Sequence, residues 1–383
     1  MSRPDHESSP CDAGPVGMRL LQRPDVVVRR GTLVGFLTAT VLLLSLVGVQ
    51  RASATVVGGS HWTVEQVPNV PSSQLSAISC TSTTACMAVG QSGQVGLAER
   101  WNGFGWSQVP VPSSAGPLHG ISCTSANACM AVGSNRCGGP VADRWNGSRW
   151  QDSPLRLSAT IKQCASVLQG VSCASRRFCL AAGNPNALER WNGRRWFITS
   201  VPRVSNAQLF AVSCAAPNAC AVGGGWGDTG NGGRLLEFWN GRHWSGALRN
   251  DNNSRVATTV NGVSCPSRAA CIAVAGNGDN FPYADSWNGR SWSNITTPND
   301  YQGLTVFNAV SCTSPRSCLI VGSVPPGYGD RAVASWNGRV FTPSPNDVTS
   351  SFSGLTGVSC VQQTACTVVG TGVSGSPLAA RNF

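Results

Sequence analysis

Fourteen of the chain's 17 cysteines fall into seven Ser-Cys-x5-Cys pairs. They are Cys80-Cys86, Cys123-Cys129, Cys173-Cys179, Cys214-Cys220, Cys265-Cys271, Cys312-Cys318 and Cys360-Cys366. Recurrent pairs can hold zinc or form disulfides. A five-residue gap is not the short spacing of a zinc site, and His, at 4 in the chain, is scarce. Disulfides need an oxidising compartment, and the N-terminus offers a route to one. Residues 31–50 carry no charge, follow Arg29-Arg30 and lead to Ala52-Ser53-Ala54. A basic flank, an apolar run and a small-x-small site make a secretory signal. The run is also long enough to span a bilayer, so an uncleaved anchor is the alternative. Residues 1–30 then form a leader, 31–54 the signal or anchor, and 55–383 a body that is secreted or held on the outer face of the membrane. Starting at Met18 instead of Met1 gives a more ordinary leader and omits Cys11.

Carboxylates are the second candidate chemistry. An acid stands two residues before a Trp at Glu99, Asp143, Glu189, Glu237 and Asp285. Two carboxylates at the right separation can work on a glycosidic bond, but these recur one per repeat. Pairing with arginines across a hairpin, such as Arg149 and Arg195, is the expected role. Three Gly-x-Gly-Asp runs, ending at Asp228, Asp279 and Asp330, are accompanied by Trp226, Asn280, Phe281, Tyr283, Tyr301 and Tyr328. Flat aromatic area beside directional hydrogen-bonding groups suits a sugar or a peptide. The aspartates can also gather around calcium, although Gly-Asp is ordinary turn chemistry too. His61 and His243 occupy a variable slot before a Trp, whereas His119 lies beside a small residue and can face a central channel.

These residues sit on a repeat. The Ser-Cys steps are 43, 50, 41, 51, 47 and 48 residues apart, a period typical of solenoids, propellers or arrays. Each copy predicts four short strands. The first ends at Ser-Cys and carries a small residue at Ala77, Gly120, Gly170, Ala211, Gly262, Ala309 or Gly357, which suits crowding at a narrow centre. The second is an apolar run from the second cysteine to a glycine. The third ends at Trp-Asn-Gly, a turn signal, and the fourth begins at the next aromatic. Twelve of 13 Trp occupy these two flanks; Trp226 does not. Four-stranded units that cannot bury their faces alone predict an all-β fold, a seven-bladed β-propeller. The last copy stops in its third strand at Arg381-Asn382-Phe383, and the missing strand stands at the start, around Trp62. The N-terminal strand is therefore expected to complete the C-terminal blade.

The glycine after the second strand, and the aromatic closing the third strand shortly before the Trp of the fourth, resemble the kelch and galactose-oxidase class of propellers. The Ser-Cys-x5-Cys clips depart from that class. With the Trp-Asn-Gly repeats they are similar to exported actinobacterial repeat proteins. A sialidase-type Ser-x-Asp-x-Gly-x-x-Trp box is absent, and 3 Tyr with 4 His are too few for a copper–tyrosyl centre of the galactose-oxidase kind.

In a propeller the clips and Asn-Gly turns share one face, and the variable 2–3 loops and 4–1 connections share the other. Cys137 and Cys164 both fall on the variable face, so an eighth disulfide, Cys137-Cys164, is expected there. From residue 55 onward 22 basic residues face 13 acidic ones, which favours anionic surroundings such as wall polymers or acidic glycans. The leading expectation is a non-catalytic binding module without a cofactor, meeting an extracellular glycan, a cell-wall polymer or a surface protein. Its contacts would be the 2–3 loops of blades four to six. The alternatives are an enzyme acting on polysaccharide or glycoconjugate through Asp228, Asp279 or Asp330, and a structural protein that docks through its uniform face. No nucleic-acid motif is present.

Overall fold

The computed structural model describes residues 62–68, 70, 72–155, 166–199, 204, 207–228, 231–250, 258–276, 282–297, 306–323, 333–343 and 351–382. The leader and the signal or anchor segment lie outside them. Among the described residues there is no helix long and apolar enough to cross a membrane. Their regular structure is β, in antiparallel four-stranded sheets.

The first copy shows why its residues fold as they do. Its strands are Ser73–Ser82, Ala85–Ser92, Val95–Trp101 and Trp106–Gln108, hydrogen-bonded in that order. The second strand is buried from Cys86 to Gly90 because another sheet covers each face, so its apolar run does not alternate with polar residues. Cys80 stands opposite Cys86 in the register, and the disulfide joins them across a Cα separation of 4.0 Å. The other six clips form in the same way, so the seven expected pairings are present.

The third and fourth strands are set by their Trp pair. Trp101 and Trp106 face each other with ring centroids 5.8 Å apart, a contact worth about 0.5–1.5 kcal/mol beyond its area. In the turn between them only the glycine has positive φ, +96° at Gly103. Asn102 acts instead through its side chain, whose Oδ1 accepts from the amides of Phe104 at 2.9 Å and Gly105 at 3.1 Å. The Trp101 indole donates to the carbonyl of Thr83 at 3.2 Å, fastening this turn to the one between the first two strands. Trp145, Trp191 and Trp287 do the same to Ala126, Arg176 and Arg268.

The core lies between successive copies. Met87, Val89 and Ala98 of copy one pack against Leu118, Ile121 and Trp145 of copy two. Burying each large side chain in this way contributes roughly 1.5–3 kcal/mol. The small slot of the first strand behaves as expected: a Cβ on Gly120 would lie 2.9 Å from the carbonyl oxygen of Gln169 in the next copy. A hydrogen bond joins the same strands, from the Cys173 amide to Ser122 Oγ at 3.0 Å.

The first and last described strands meet in one sheet. Trp62–Gln66 runs antiparallel to Pro377–Asn382, with Trp62 opposite Asn382 and Thr63 opposite Arg381. That sheet continues through Ala365–Gly372 to Phe352–Gln362. Glu65 and Arg381 form an ion pair at 2.6 Å across the junction. Copies five and six share an eight-stranded sheet through the single pairing of Gly276 with Val306.

Candidate functional site

The residues expected to form the contact face are described only in part. Asp279, Asn280, Phe281, Tyr301, Tyr328 and Asp330 lie outside the described residues, as does Cys164. Cys137 is disulfide-bonded. Trp226 lies in the long second strand of copy four, Ala219–Asp228, and packs half-buried against the cluster around Leu188 and Leu235. Tyr283 is half-buried too, with the Arg234 guanidinium 4.7 Å from its ring centroid. Asp228 ends the strand that carries Trp226, opposite Asn231. Trp226 thus packs between copies three and four, and Tyr283 against Arg234 of the preceding copy.

The recurring acids do not pair across the hairpin. Glu99 is fully buried, and both its carboxylate oxygens lack hydrogen-bond partners. The register explains this: its neighbours on the flanking strands are Ala88 and Gln108, neither of which is a cation. Burial pushes the Glu99, Asp143 and Glu189 carboxyls up to about 7, with a smaller contribution from Asp152 at Asp143. Arg149 and Arg195, the expected partners, are exposed. Asp285 finds its cation in the preceding copy, where Arg234 reaches it at 2.8 Å with both groups buried. Glu237 is raised by burial as well. His119 is half-buried and shifted down by burial, and His243 is exposed beside Asn240.

The more distinctive surface is the other one, made of clips and Asn-Gly turns. In each of the first six copies the two turns lie against each other. A Cβ on Gly147 would meet Asn127 at 3.0 Å, on Gly193 Arg177 at 3.1 Å, and on Gly338 Arg316 at 2.7 Å. Neighbouring copies touch here as well, since Arg176 donates to Ser125 Oγ at 2.8 Å and Arg268 contacts the carbonyl of Asn218 at 3.5 Å. Ten arginines stand in these turns: Arg176, Arg177, Arg268 and Arg316 after the first cysteine of a clip, and Arg149, Arg194, Arg195, Arg242, Arg290 and Arg339 after Asn-Gly. All ten are exposed. No Asp or Glu occurs in any of these turns. One sign of charge is therefore concentrated on a rigid surface with no internal neutralisation. The signal was present in the sequence as Arg within the two turn motifs, but the fixed cysteine and Trp spacing made that face read as uniform.

The third strands also shape this face. In three copies the residue one before the last position of the third strand lies on the Trp of the following copy, whereas Arg190 lies over Phe197 of its own copy. Arg381 lies 3.7 Å over Trp101, Arg100 5.9 Å over Trp145, and Phe238 stacks on Trp287 at 4.5 Å. Whether that residue fills the junction decides whether a cleft opens there. The junction lined by Arg100 leaves about 10 Å³, whereas those lined by Arg144 and by Ser335 leave about 180 and 170 Å³. Among the described residues no group of three or more His, Cys, Asp or Glu is placed to hold a metal ion.

No family model and no curated protein sequence matches the chain. Solved structures do resemble it. YCF48 bound to a D1 peptide superposes with a TM-score of 0.58 at 12% identity, over 86% of this chain and 97% of that one. Virginiamycin B lyase from Staphylococcus aureus does so with a TM-score of 0.62 at 9% identity, over 84% and 99%. At such identities the likeness is one of fold alone, and together with the sheet layout it makes the described body a β-propeller of four-stranded antiparallel blades.

Proposed function

We propose that the chain is an exported, non-catalytic binding module, a seven-bladed ring that holds an acidic extracellular glycan against its turn face. The observation that carries this reading is the set of ten exposed arginines on that face and the lack of any acid in its turns. Guanidinium groups present planar, permanently charged donor pairs that match a carboxylate. A repeating polyanion can meet several of them at once, so weak single contacts add up. The ring supplies the rigidity: seven clips pin the turns, and the strand around Trp62 completes the sheet begun by the last copy. Oxidised clips also suit a compartment outside the cytoplasm.

A second reading places the contact on the 2–3 loops of copies four to six, through Trp226, Asp228, Asp279, Asn280, Phe281, Tyr283, Tyr301, Tyr328 and Asp330. What favours it is the hairpin of copy four, whose strands extend to Asp228 and from Asn231. Binding of the body from residue 55 onward to an array of acidic and neutral glycans separates the two. Retention on uronate-bearing glycans that salt abolishes supports the turn face. Salt-resistant retention on neutral glycans, lost in Trp226→Ala, would replace it with the loop face.

A further inference from the structure

The cleft between copies two and three differs from its equivalents in a way that selects a ligand. Its position in the repeat is the one that Arg381 closes by lying over Trp101 and that Phe238 closes by stacking on Trp287. Here the equivalent residue is Arg144, which is exposed and has neither an ion pair nor a ring contact among the described residues. The result is an open cavity of about 180 Å³, the size of a single sugar ring, lined by both Arg144 and Arg176. Arg176 is held in place by its bond to Ser125 Oγ. Thr124, Asn127 and Ser175 also line it. Trp145 and Trp191 line it too but are nearly buried, so they offer no exposed ring face.

We infer that this cleft is the subsite that seats one uronate residue of the acidic glycan, its carboxylate between Arg144 and Arg176 and its hydroxyls against Thr124, Asn127 and Ser175. The inference rests on the turn-face reading above and narrows it to one position. Two guanidiniums fit one carboxylate, and short hydroxyl and amide side chains fit the ring hydroxyls around it, which an apolar ligand would leave unused. The cleft at Ser335, about 170 Å³ and lined by Arg316, Gln362 and Gln363, has one guanidinium and serves as a weaker equivalent on the far side of the face.

The experiment is a titration of the exported body with an oligogalacturonate of defined length, its carboxyl-reduced neutral analogue, and polyphosphate. Wild type is expected to bind the oligogalacturonate and not the reduced form. Arg144→Gln lowers that affinity about tenfold, the worth of one charge-assisted contact. Arg144→Phe, which copies the native arrangement of Phe238, closes the cleft and lowers it at least as far while leaving the melting temperature unchanged. Arg136→Gln, an exposed arginine on the opposite loop face, changes affinity less than about threefold. If wild type binds and both Arg144 variants match Arg136→Gln, the subsite is wrong while the turn-face reading stands. If wild type binds no polyanion, the reading beneath it fails. If polyphosphate binds with the same dependence on Arg144 and the oligogalacturonate does not, the assignment to a uronate is overturned.

Discussion

The backbone amide of Cys80 donates to the hydroxyl of Ser359 at 2.9 Å, across 279 residues of sequence. It is one of seven identical bonds. Ser79 receives Cys123, Ser122 receives Cys173, Ser172 receives Cys214, Ser213 receives Cys265, Ser264 receives Cys312, and Ser311 receives Cys360. Each copy's serine thus caps the next copy's first strand, and the circuit returns to the copy from which it starts. The serine of every Ser-Cys step is explained by this bond. Ser359→Ala should cost about 1–2 kcal/mol in urea unfolding, the penalty of an orphaned half-buried amide, and Ser172→Ala should cost the same. A neutral Ser359→Ala beside a costly Ser172→Ala would mean that the last junction is not closed in solution.

The buried pair of Arg234 and Asp285 binds copy four to copy five. Removing one member strands the other in a low-dielectric interior. Arg234→Ala is expected to lower stability by about 3–5 kcal/mol, whereas replacing both with apolar residues of similar volume should recover most of the loss. A double-mutant cycle on the melting transition checks the pair.

Glu99, Asp143 and Glu189 give stability a pH dependence of defined sign. Their carboxyls titrate near 7 in the folded chain and at the ordinary carboxylate value when unfolded. The folded state therefore holds extra protons, and its advantage is full below about pH 4 and fades as pH rises through 7. The melting temperature should fall over that window. Glu99→Gln should match wild type at low pH and melt several degrees higher at about pH 8, where wild type must bury a charge.

Reduction should loosen the turns before it opens the sheets. Each clip spans a sequence separation of 6, so the chain-entropy gain is only roughly 2–2.5 kcal/mol apiece. A Cys123→Ser, Cys129→Ser variant should stay folded, with faster amide exchange confined to the Thr124 to Ala128 turn. Global unfolding on loss of this one clip would contradict that ledger.

Much of this architecture was legible in the sequence because it is written in spacing. A fixed Ser-Cys-x5-Cys and a fixed Trp-Asn-Gly determine strand order and turn type, and the stray strand around Trp62 announced its pairing with Arg381. What depends on depth was not legible. Asp143 and Arg149 have the right charges to pair, yet a third strand lies between two others and its side chains point into the packing between copies, so the acid is buried and the arginine is not. The role of Ser359 was hidden for a related reason: its partner belongs to another copy, and only the folded chain places the two side by side. Arg144 and Phe238 occupy equivalent positions, and nothing local to either says that one opens a cleft and the other fills it.

The central claim is that the turn face, not the loop face, meets the ligand. Calorimetric titration of polygalacturonate into wild type, into a variant with Arg149, Arg194, Arg242, Arg290 and Arg339 all changed to Gln, and into Trp226→Ala tests it most directly. The account predicts salt-sensitive binding that the five substitutions reduce by at least about a hundredfold and that Trp226→Ala leaves unchanged. Binding untouched by the five substitutions and lost in Trp226→Ala would contradict it.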